Sequence, residues 1–433
     1  MTGESDSTLD GDPIGLSTAQ MKHVLDISRM FAVTADLDSL LRKMVHTACS
    51  LLNCERASIW VYDAAKHELY TTVILESKQL RVPAGSGIVG SAFTTNKVVT
   101  VHSAYDDPRF NPSSDKATGF RTRSLMSMPM VDIEGNPVGV IQAVNKIERT
   151  FNTQDEALVQ LLADQAGVAI QRYHLQNLAK QAAELQKEMD LARTVQEGLL
   201  PKELPTIEGY DLFGWAKPAS TTGGDCYDLW TLPDGRLAIL LADASGHGLA
   251  PALVVSQVRT LVRACCDGFS EVPCPSQVLT RVNHRISADL DPGRFITTFL
   301  AFLNPDGTLE WQSAGHGPIL MRTSATSEIQ ALEAVVPPIN ILSDLPDDPP
   351  PPIRLEPGGM LAVMSDGIFE SFSPARELFG IERVIEALNQ SLNQSQPHTA
   401  RTATDSLMAS VVQWQHHDQP TDDQTIVLLN RKL

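Results

Sequence analysis

Four short segments set an aspartate beside an apolar run, three of them with a neighbouring glycine. They are Gly223-Gly224-Asp225, Leu240-Leu241-Ala242-Asp243-Ala244-Ser245-Gly246-His247-Gly248, Met364-Ser365-Asp366-Gly367, and Asp422-Asp423 just ahead of 424–429. An aspartate at a strand end can project into a cleft at the sheet edge. Adjoining glycines let carbonyl oxygens approach with no Cβ in the way. Carboxylates that converge in a folded core repel one another, so they imply a cation between them. An all-oxygen donor set suits magnesium or manganese better than zinc. Any one segment alone reads as a turn or a loop; four in one region, each against an apolar strand, point to a metal site.

Other chemistries find less support. The cysteines are Cys49, Cys54, Cys226, Cys265, Cys266 and Cys274. They form no CxxC pair, no Cys/His cluster of zinc-ligand spacing and no disulfide framework, which points to a reducing cytoplasm. A thiolate phosphatase would need a cysteine in a loop of backbone N–H groups with an arginine a few residues on. None of the six has that setting, and Cys226, inside a carboxylate segment, reads as packing. His247 and His316 each lie in Gly-His-Gly, where a general acid and a hydrogen-bonded structural histidine are both open.

The elements that must position these groups fall into two regions, as a length of 433 residues allows. Residues 1–16 read as a disordered tail. Helical spacing over 17–52 is followed by strand-like runs at 57–62 and 69–75, then a turn marked by Gly85, Gly87 and Gly90. Strands at 124–131 and 138–144 join through a turn at 134–137. A helix from 153 to 171 closes this α+β unit, with Thr153 as N-cap and Glu156 completing a capping box. The helical pattern then runs on: Leu175, Leu178, Ala182, Leu185, Met189 and Ala192 alternate spacings of three and four. Such a seam packs either on its own domain or on a second copy. A parallel coiled coil making a homodimer is favoured, because the pattern outlasts the first unit. Leu200-Pro201 and Leu204-Pro205 stop the helix. Beyond them strands dominate, at 212–217, 227–232, 237–243, 296–303, 309–314, 360–365 and 425–429. Helices are expected at 248–266 and 275–290, and a proline-rich loop at 346–352.

A net charge of −18, from 34 basic and 52 acidic residues, argues against a nucleic-acid partner, which needs clustered Lys and Arg. The polar, acidic start lacks a basic, apolar secretory signal. No stretch approaches the roughly 20 apolar residues of a membrane span. A cytoplasmic protein with no membrane partner is the expectation.

The segments GGDCYDL (223–229), ADASGHGLAPALVVS (242–256), FITTFLAFLNPDGTLEWQSAGHGPIL (295–320), LEPGGMLAVMSDGIFES (355–371) and DDQTIVLL (422–429) occur in order after LARTVQEGLLPKELP (191–205). Together they resemble the SpoIIE/RsbU branch of the metal-dependent (PPM-type) serine/threonine phosphatases, over about residues 190–433. The resemblance implies a β-sandwich flanked by helices with a dinuclear Mn²⁺ or Mg²⁺ site. Asp225, Asp243, Asp366 and Asp422 would be the catalytic ligands, Ala244 would offer its carbonyl, and Asp423 would take part through water. Asp228 would support them. Two such cations activate a water that attacks phosphorus in line. The implied substrate is a phosphoserine or phosphothreonine protein, typically an anti-sigma factor antagonist in a partner-switching pathway. Thr222 and the stretch 336–342 depart from the family pattern, but no expected ligand is missing. The rival reading is a non-catalytic scaffold that binds a phosphoprotein.

Residues 17–172 resemble a GAF sensor domain, most clearly in DDPRFNPSSDKATGFRTRSLMSMPM (106–130) and NKIERTFNTQDE (145–156). The second carries the Asn-Lys…Phe-xxx-Asp-Glu pattern as Asn145, Lys146, Phe151, Asp155 and Glu156, and implies a supporting Lys146–Asp155 ion pair. Ser58, Asp115, Thr118 and Thr122 are the polar residues expected to line a ligand pocket. A cyclic nucleotide (cAMP or cGMP), another small molecule or protein signal, and no ligand at all remain open. The layout expected is a tail (1–16), a GAF domain (17–172), a coiled-coil linker (173–200) and a phosphatase domain (201–433), the sensor regulating the enzyme through the linker.

Overall fold

The computed structural model describes residues 37–71, 80–147, 149–246, 248–267, 273–291, 293–392 and 399–433. The expected tail, the helical pattern before residue 37, the strand run beyond residue 71 and His247 lie outside these residues. The chain divides into two compact units, one ending at Ala183 and one beginning at Glu184.

In the first unit, helix α1 (Leu37–Leu52) buries Leu40, Leu41, Met44, Val45, Ala48 and Leu52, the single stripe that three- and four-residue spacing creates. Strand β1 (Cys54–Asp63) pairs with β2 (Glu68–Thr71) and with β6 (Pro137–Lys146). With β3 (Arg81–Pro83), β4 (Val99–Val101) and β5 (Leu125–Val131) they form an antiparallel sheet of order β3-β2-β1-β6-β5-β4. Helix α2 (Gly87–Thr95) packs Val89, Ala92 and Phe93 against Trp60, Leu69 and Val140. A short helix α3 spans Ser113–Thr118. Ile59, Val61, Met126, Met128 and Ile141 meet α1 and the start of helix α4 (Thr153–Glu197). Each fully buried aliphatic side chain there contributes roughly 1.5–3 kcal/mol.

The cap of α4 differs from the sequence expectation. Asn152, not Thr153, is the capping residue: its Oδ1 accepts from the amides of Gln154 and Asp155 at 3.0 Å each. Asp155 answers by accepting from the Asn152 amide at 3.1 Å. Asparagine ranks above threonine as an N-cap, and Glu156 instead accepts from Thr100 Oγ1 at 2.8 Å. Lys146 Nζ lies 2.6 Å from Asp155 Oδ1, both side chains buried. The ion pair implied by the Asn-Lys…Asp pattern is therefore present. Ile170 is the last buried residue of the helix, and Leu175, Leu178 and Leu185 are exposed.

The second unit is built from two five-stranded antiparallel sheets. One has the order β14-β11-β10-β9-β8, from β8 (Asp225–Thr231), β9 (Leu237–Ala244), β10 (Ile296–Leu303), β11 (Thr308–Ala314) and β14 (Ile353–Arg354). The other is β13-β12-β15-β16-β7, from β7 (Tyr210–Lys217), β12 (Ile319–Arg322), β13 (Gln330–Leu332), β15 (Met360–Met364) and β16 (Gln424–Arg431). Strand β9 shows how the layers arise. Leu237, Ile239 and Leu241 face the other sheet. Ala238, Leu240 and Ala242 face α5 (Leu249–Asp267) and α6 (Pro275–Ile286). Period-two alternation with both faces apolar demands cover on both sides. On the outer face of the second sheet lie α8 (Ile381–Leu392) and α9 (Ala400–Gln415); α7 is a single turn, Asp366–Phe369. The result is a β-sandwich flanked by helices.

Two sequence expectations need correction here. Helices α8 and α9 were not anticipated; α9 opens with a capping box made by Thr399 and Thr402, without the Glu or Gln that usually signals one. Helix α5 is long and apolar enough by composition to cross a membrane, against the reading that no stretch is. Its Val255, Val258, Val262 and Cys266 pack on the sheet, while Arg259 and Arg263 pair with Asp228.

Candidate metal centre

Sheet register sets the first two carboxylates side by side. Asp225 opens β8 and is the direct partner of Asp243 on β9, and Asp243 in turn faces Thr297 on β10. Asp366 and Asp422 come from the other sheet: β15 pairs with β16, so the turn after Met364 and the turn before Gln424 emerge at the same end. The glycines are there for close approach. A Cβ on Gly224 would stand 2.8 Å from the Ala244 carbonyl, and one on Gly367 would stand 2.2 Å from the Asp423 carbonyl.

Electrostatics shows how near the groups are. Burial, followed by the charge of Asp243, pushes the Asp225 carboxyl well above its ordinary value. Asp243 is pushed up to about 7, first by burial and then by Asp366, Asp422 and Asp423. Asp366 rises to about 6 through burial and the charge of Asp422. Among the described residues, no three of these side chains close into a finished ligand cluster; they crowd one another within electrostatic reach instead. Asp225 Oδ2 is buried with no hydrogen-bond partner among the described residues. Orphaned buried oxygen, mutual repulsion and an all-oxygen donor set fit a hard divalent cation.

Asp423 is differently engaged. Its Oδ1 accepts from the Ala219 amide at 2.7 Å and its Oδ2 from the Gly224 amide, so it holds the Gly-Gly loop in place. Ser365 extends this support, donating to the Asp423 carbonyl at 3.1 Å and accepting from the Thr425 amide at 2.9 Å. Asp228 is wholly buried; Arg263 donates to it twice, at 2.7 and 2.9 Å, and Arg259 Nε lies at 2.8 Å. Cys226 is core packing: burial pushes its thiol up to about 12. His316 shares a 3.1 Å hydrogen bond between Nδ1 and Thr297 Oγ1, and burial pulls it down to about 4. A histidine neutral at physiological pH lacks the proton an imidazolium acid would give, which favours the structural role.

Sequence reasoning missed Gln196, in the last turn of α4. Its side-chain amide donates to the Gly223 carbonyl at 2.5 Å and accepts from the Gly223 amide at 3.1 Å. A cavity of about 80 Å³ adjoins this contact, lined among others by Gln196, Leu200, Gly223, Asp225 and Thr425. No sequence signal marked it: both of its hydrogen bonds run to backbone atoms of a residue distant in the chain.

Of the polar residues expected to line a GAF pocket, the structure brings two together. Asp115 accepts from the Thr122 amide at 2.7 Å, from Thr122 Oγ1 at 2.8 Å and from Tyr105 Oη at 3.0 Å. Ser58 accepts from Trp60 Nε1 at 3.2 Å instead. The side chain of Thr118 lies outside the described set.

Comparison with known proteins agrees with this anatomy. The family model "Stage II sporulation protein E (SpoIIE)" matches residues 233–432, a span that holds Asp243, Asp366 and Asp422, and the GAF domain model matches residues 36–170. The chain is 29% identical over 271 residues to "Phosphoserine phosphatase RsbU" of Bacillus subtilis, covering 62% of this chain and 76% of that protein. It is 28% identical over 180 residues to "Probable 3',5'-cyclic phosphodiesterase pde-5" of Caenorhabditis elegans, covering 37% of this chain. The chain spans only 25% of that phosphodiesterase, and 20% of a dual cyclic-AMP and -GMP phosphodiesterase 11A from Takifugu rubripes. Among solved structures, the SiaA-PP2C domain of Pseudomonas aeruginosa shares the fold, with a TM-score of 0.50 and 20% identity over 58% of this chain and 99% of that one. The chain joins a GAF domain to a SpoIIE/PP2C-type phosphatase domain.

Proposed function

We propose that this chain is a sensor-regulated, metal-dependent serine/threonine phosphoprotein phosphatase. The observation that carries the reading is the crowding of Asp225, Asp243 and Asp366 at one end of the sandwich, with Asp225 Oδ2 buried and without a hydrogen-bond partner among the described residues. Asp225, Asp243, Asp366, Asp422 and the Ala244 carbonyl would hold two Mn²⁺ or Mg²⁺ ions, with Asp423 in contact only through water because its oxygens serve backbone amides. When bound, such ions supply an activated water and offset charge on the phosphoryl group. The chain's own part is to converge the carboxylates, fix their loop through Asp423, Ser365 and Gln196, and keep His316 neutral beside Thr297.

The substrate we propose is a phosphoserine or phosphothreonine protein of the anti-sigma factor antagonist kind, by similarity to the RsbU phosphatase. The exposed Leu175, Leu178 and Leu185 would pair two copies as a parallel coiled coil over residues 173–200. A cyclic nucleotide at the GAF domain would then act through that helix. Its support is the Asn145, Lys146, Phe151, Asp155 pattern and the likeness to phosphodiesterases. The test is hydrolysis of p-nitrophenyl phosphate with Mn²⁺, and of candidate phosphoproteins with and without cAMP or cGMP. Activity abolished by EDTA and by Asp366→Asn supports the enzyme. Stable phosphoprotein binding with no turnover under either metal would make the domain a scaffold.

A further inference from the structure

Helix α1 ends in a turn that brings two thiols together. Asn53 follows Leu52 with φ at +46°, in the left-handed region, and β1 starts at the next residue, Cys54. At a helix end of this kind the residue after the left-handed one folds back over the last helical turn. Its side chain then meets the one five positions earlier, a contact usually made by two apolar groups. Here the two positions are Cys54 and Cys49. Cys54 belongs to the core shared by α1, the sheet and α4, Cys49 packs against that core, and each thiol perturbs the other. Cys54 is buried and also donates to the Arg56 carbonyl at 3.4 Å; Cys49 is half-buried and open to solvent.

We propose that Cys49 and Cys54 are a reversible redox couple, oxidised by hydroperoxides to a disulfide that ties the last turn of α1 to the first residue of β1. The two thiols have distinct roles. The neighbouring Cys54 thiol pulls Cys49 down to about 7 against the opposing effect of burial, while Cys49 and burial together push Cys54 up. Cys49 is therefore the thiolate that attacks. Its sulfur bonds to a peroxide oxygen, the O–O bond breaks, and the departing alkoxide or hydroxide takes up a proton, leaving a sulfenic acid. Cys54 sulfur then attacks Cys49 sulfur: the S–S bond forms, the S–O bond breaks, and hydroxide leaves with the Cys54 proton as water. Two thiols and one hydroperoxide give one disulfide, one alcohol (or water) and one water; an external thiol reverses the step. The location is consequential, because Cys54 is the register partner of Lys146, whose ammonium holds Asp155 in the first turn of α4.

The test uses the reduced full-length protein, treated with stoichiometric hydrogen peroxide, blocked with N-ethylmaleimide and cleaved by trypsin without reductant. Cleavage after Lys43 and Arg56 leaves both cysteines in the fragment 44–56. That fragment should appear unalkylated and two hydrogens lighter, and dithiothreitol should restore two alkylation sites. Full alkylation of both cysteines after peroxide, or sulfinic acid at Cys49 with no disulfide, overturns the proposal. With Cys54→Ser the sulfenic acid should persist at Cys49 and be trapped by dimedone. An unmodified Cys49 in that variant, with its circular dichroism unchanged, counts equally against it.

Discussion

If the aspartates are a cation site, removing one of their charges should stabilise the protein when no cation is present. Asp243 is the best probe: it is mostly buried and is held at about 7 against an ordinary 3.8. A carboxyl whose folded pKa is raised contributes its stability at low pH and loses it as pH rises through the folded value. In metal-free protein near pH 8, keeping Asp243 ionised therefore costs the fold about 4 kcal/mol, at roughly 1.36 kcal/mol per unit. Near pH 5 the group stays protonated when folded, and the cost falls to about 1–2 kcal/mol. Asn cannot ionise, so Asp243→Asn should recover most of each amount. A domain of this size gains about 2–4 °C per kcal/mol. The transition of the C-terminal unit should then rise on the order of 10 °C at pH 8 and by only a few degrees at pH 5.

The assay is scanning calorimetry of the full chain in EDTA at both pH values, repeated with excess Mn²⁺. Cation should reverse the order, since each ion that binds only the native state adds about 2.7 kcal/mol at a hundredfold excess over its Kd, and the two proposed ions together exceed the roughly 4 kcal/mol of repulsion. The wild type should gain that and the variant should not. A variant less stable than wild type in EDTA at pH 8, or a shift equal at the two pH values, would refute the repulsion argument.

Three further outcomes follow from particular contacts. Gly367→Ala places a Cβ 2.2 Å from the Asp423 carbonyl and should cost about 1–3 kcal/mol together with most of the phosphatase activity, read by thermal melt and p-nitrophenyl phosphate turnover. Gln196→Leu removes both hydrogen bonds to Gly223; the Mn²⁺ concentration for half-maximal turnover should rise severalfold while helix content by circular dichroism holds. Lys146→Met strands Asp155 in the core and should cost the GAF unit about 3–5 kcal/mol, with part of the loss recovered when Asp155→Leu is added.

Strong, repeated patterns were legible in the sequence, and features that depend on a single contact were not. Strands such as Ile296–Leu303 and Leu237–Ala244 read clearly because apolar residues fill both faces. The carboxylates read as a group because each sits where such a strand ends. Strand β12 was missed because four residues, Ile319–Arg322, show no period. The N-cap of α4 was misplaced by one residue because Asn152 and Thr153 are both competent caps, and only Asp155 reaching back to the Asn152 amide decides between them. Gln196 was illegible for a similar reason: its partner Gly223 is distant in sequence, and both hydrogen bonds run to backbone, which carries no side-chain signature.

Asp225 and Asp228, on the same strand, show how this chain treats a buried carboxylate in two ways. Asp228 has no exposed surface, yet α5 reaches it with two guanidinium groups: Arg263 donates charge-assisted hydrogen bonds at 2.7 and 2.9 Å, and Arg259 Nε forms an ion pair at 2.8 Å. Two guanidinium groups on successive turns of one helix neutralise it within the fold, and Arg263 also stacks on Trp230. Three residues earlier the arrangement is inverted. The leading neighbours of Asp225 are Asp243 and Asp423, hydroxyl groups temper the repulsion only in part, and Oδ2 has no hydrogen-bond partner among the described residues. Leaving a buried acceptor unpaired costs about 1–3 kcal/mol, more when it is charged. A helix that supplies two arginines to Asp228 shows that neutralisation from within was available to this sheet. Its absence at Asp225, where aspartates from both sheets meet instead, is what a site gains by taking its positive charge from a bound cation.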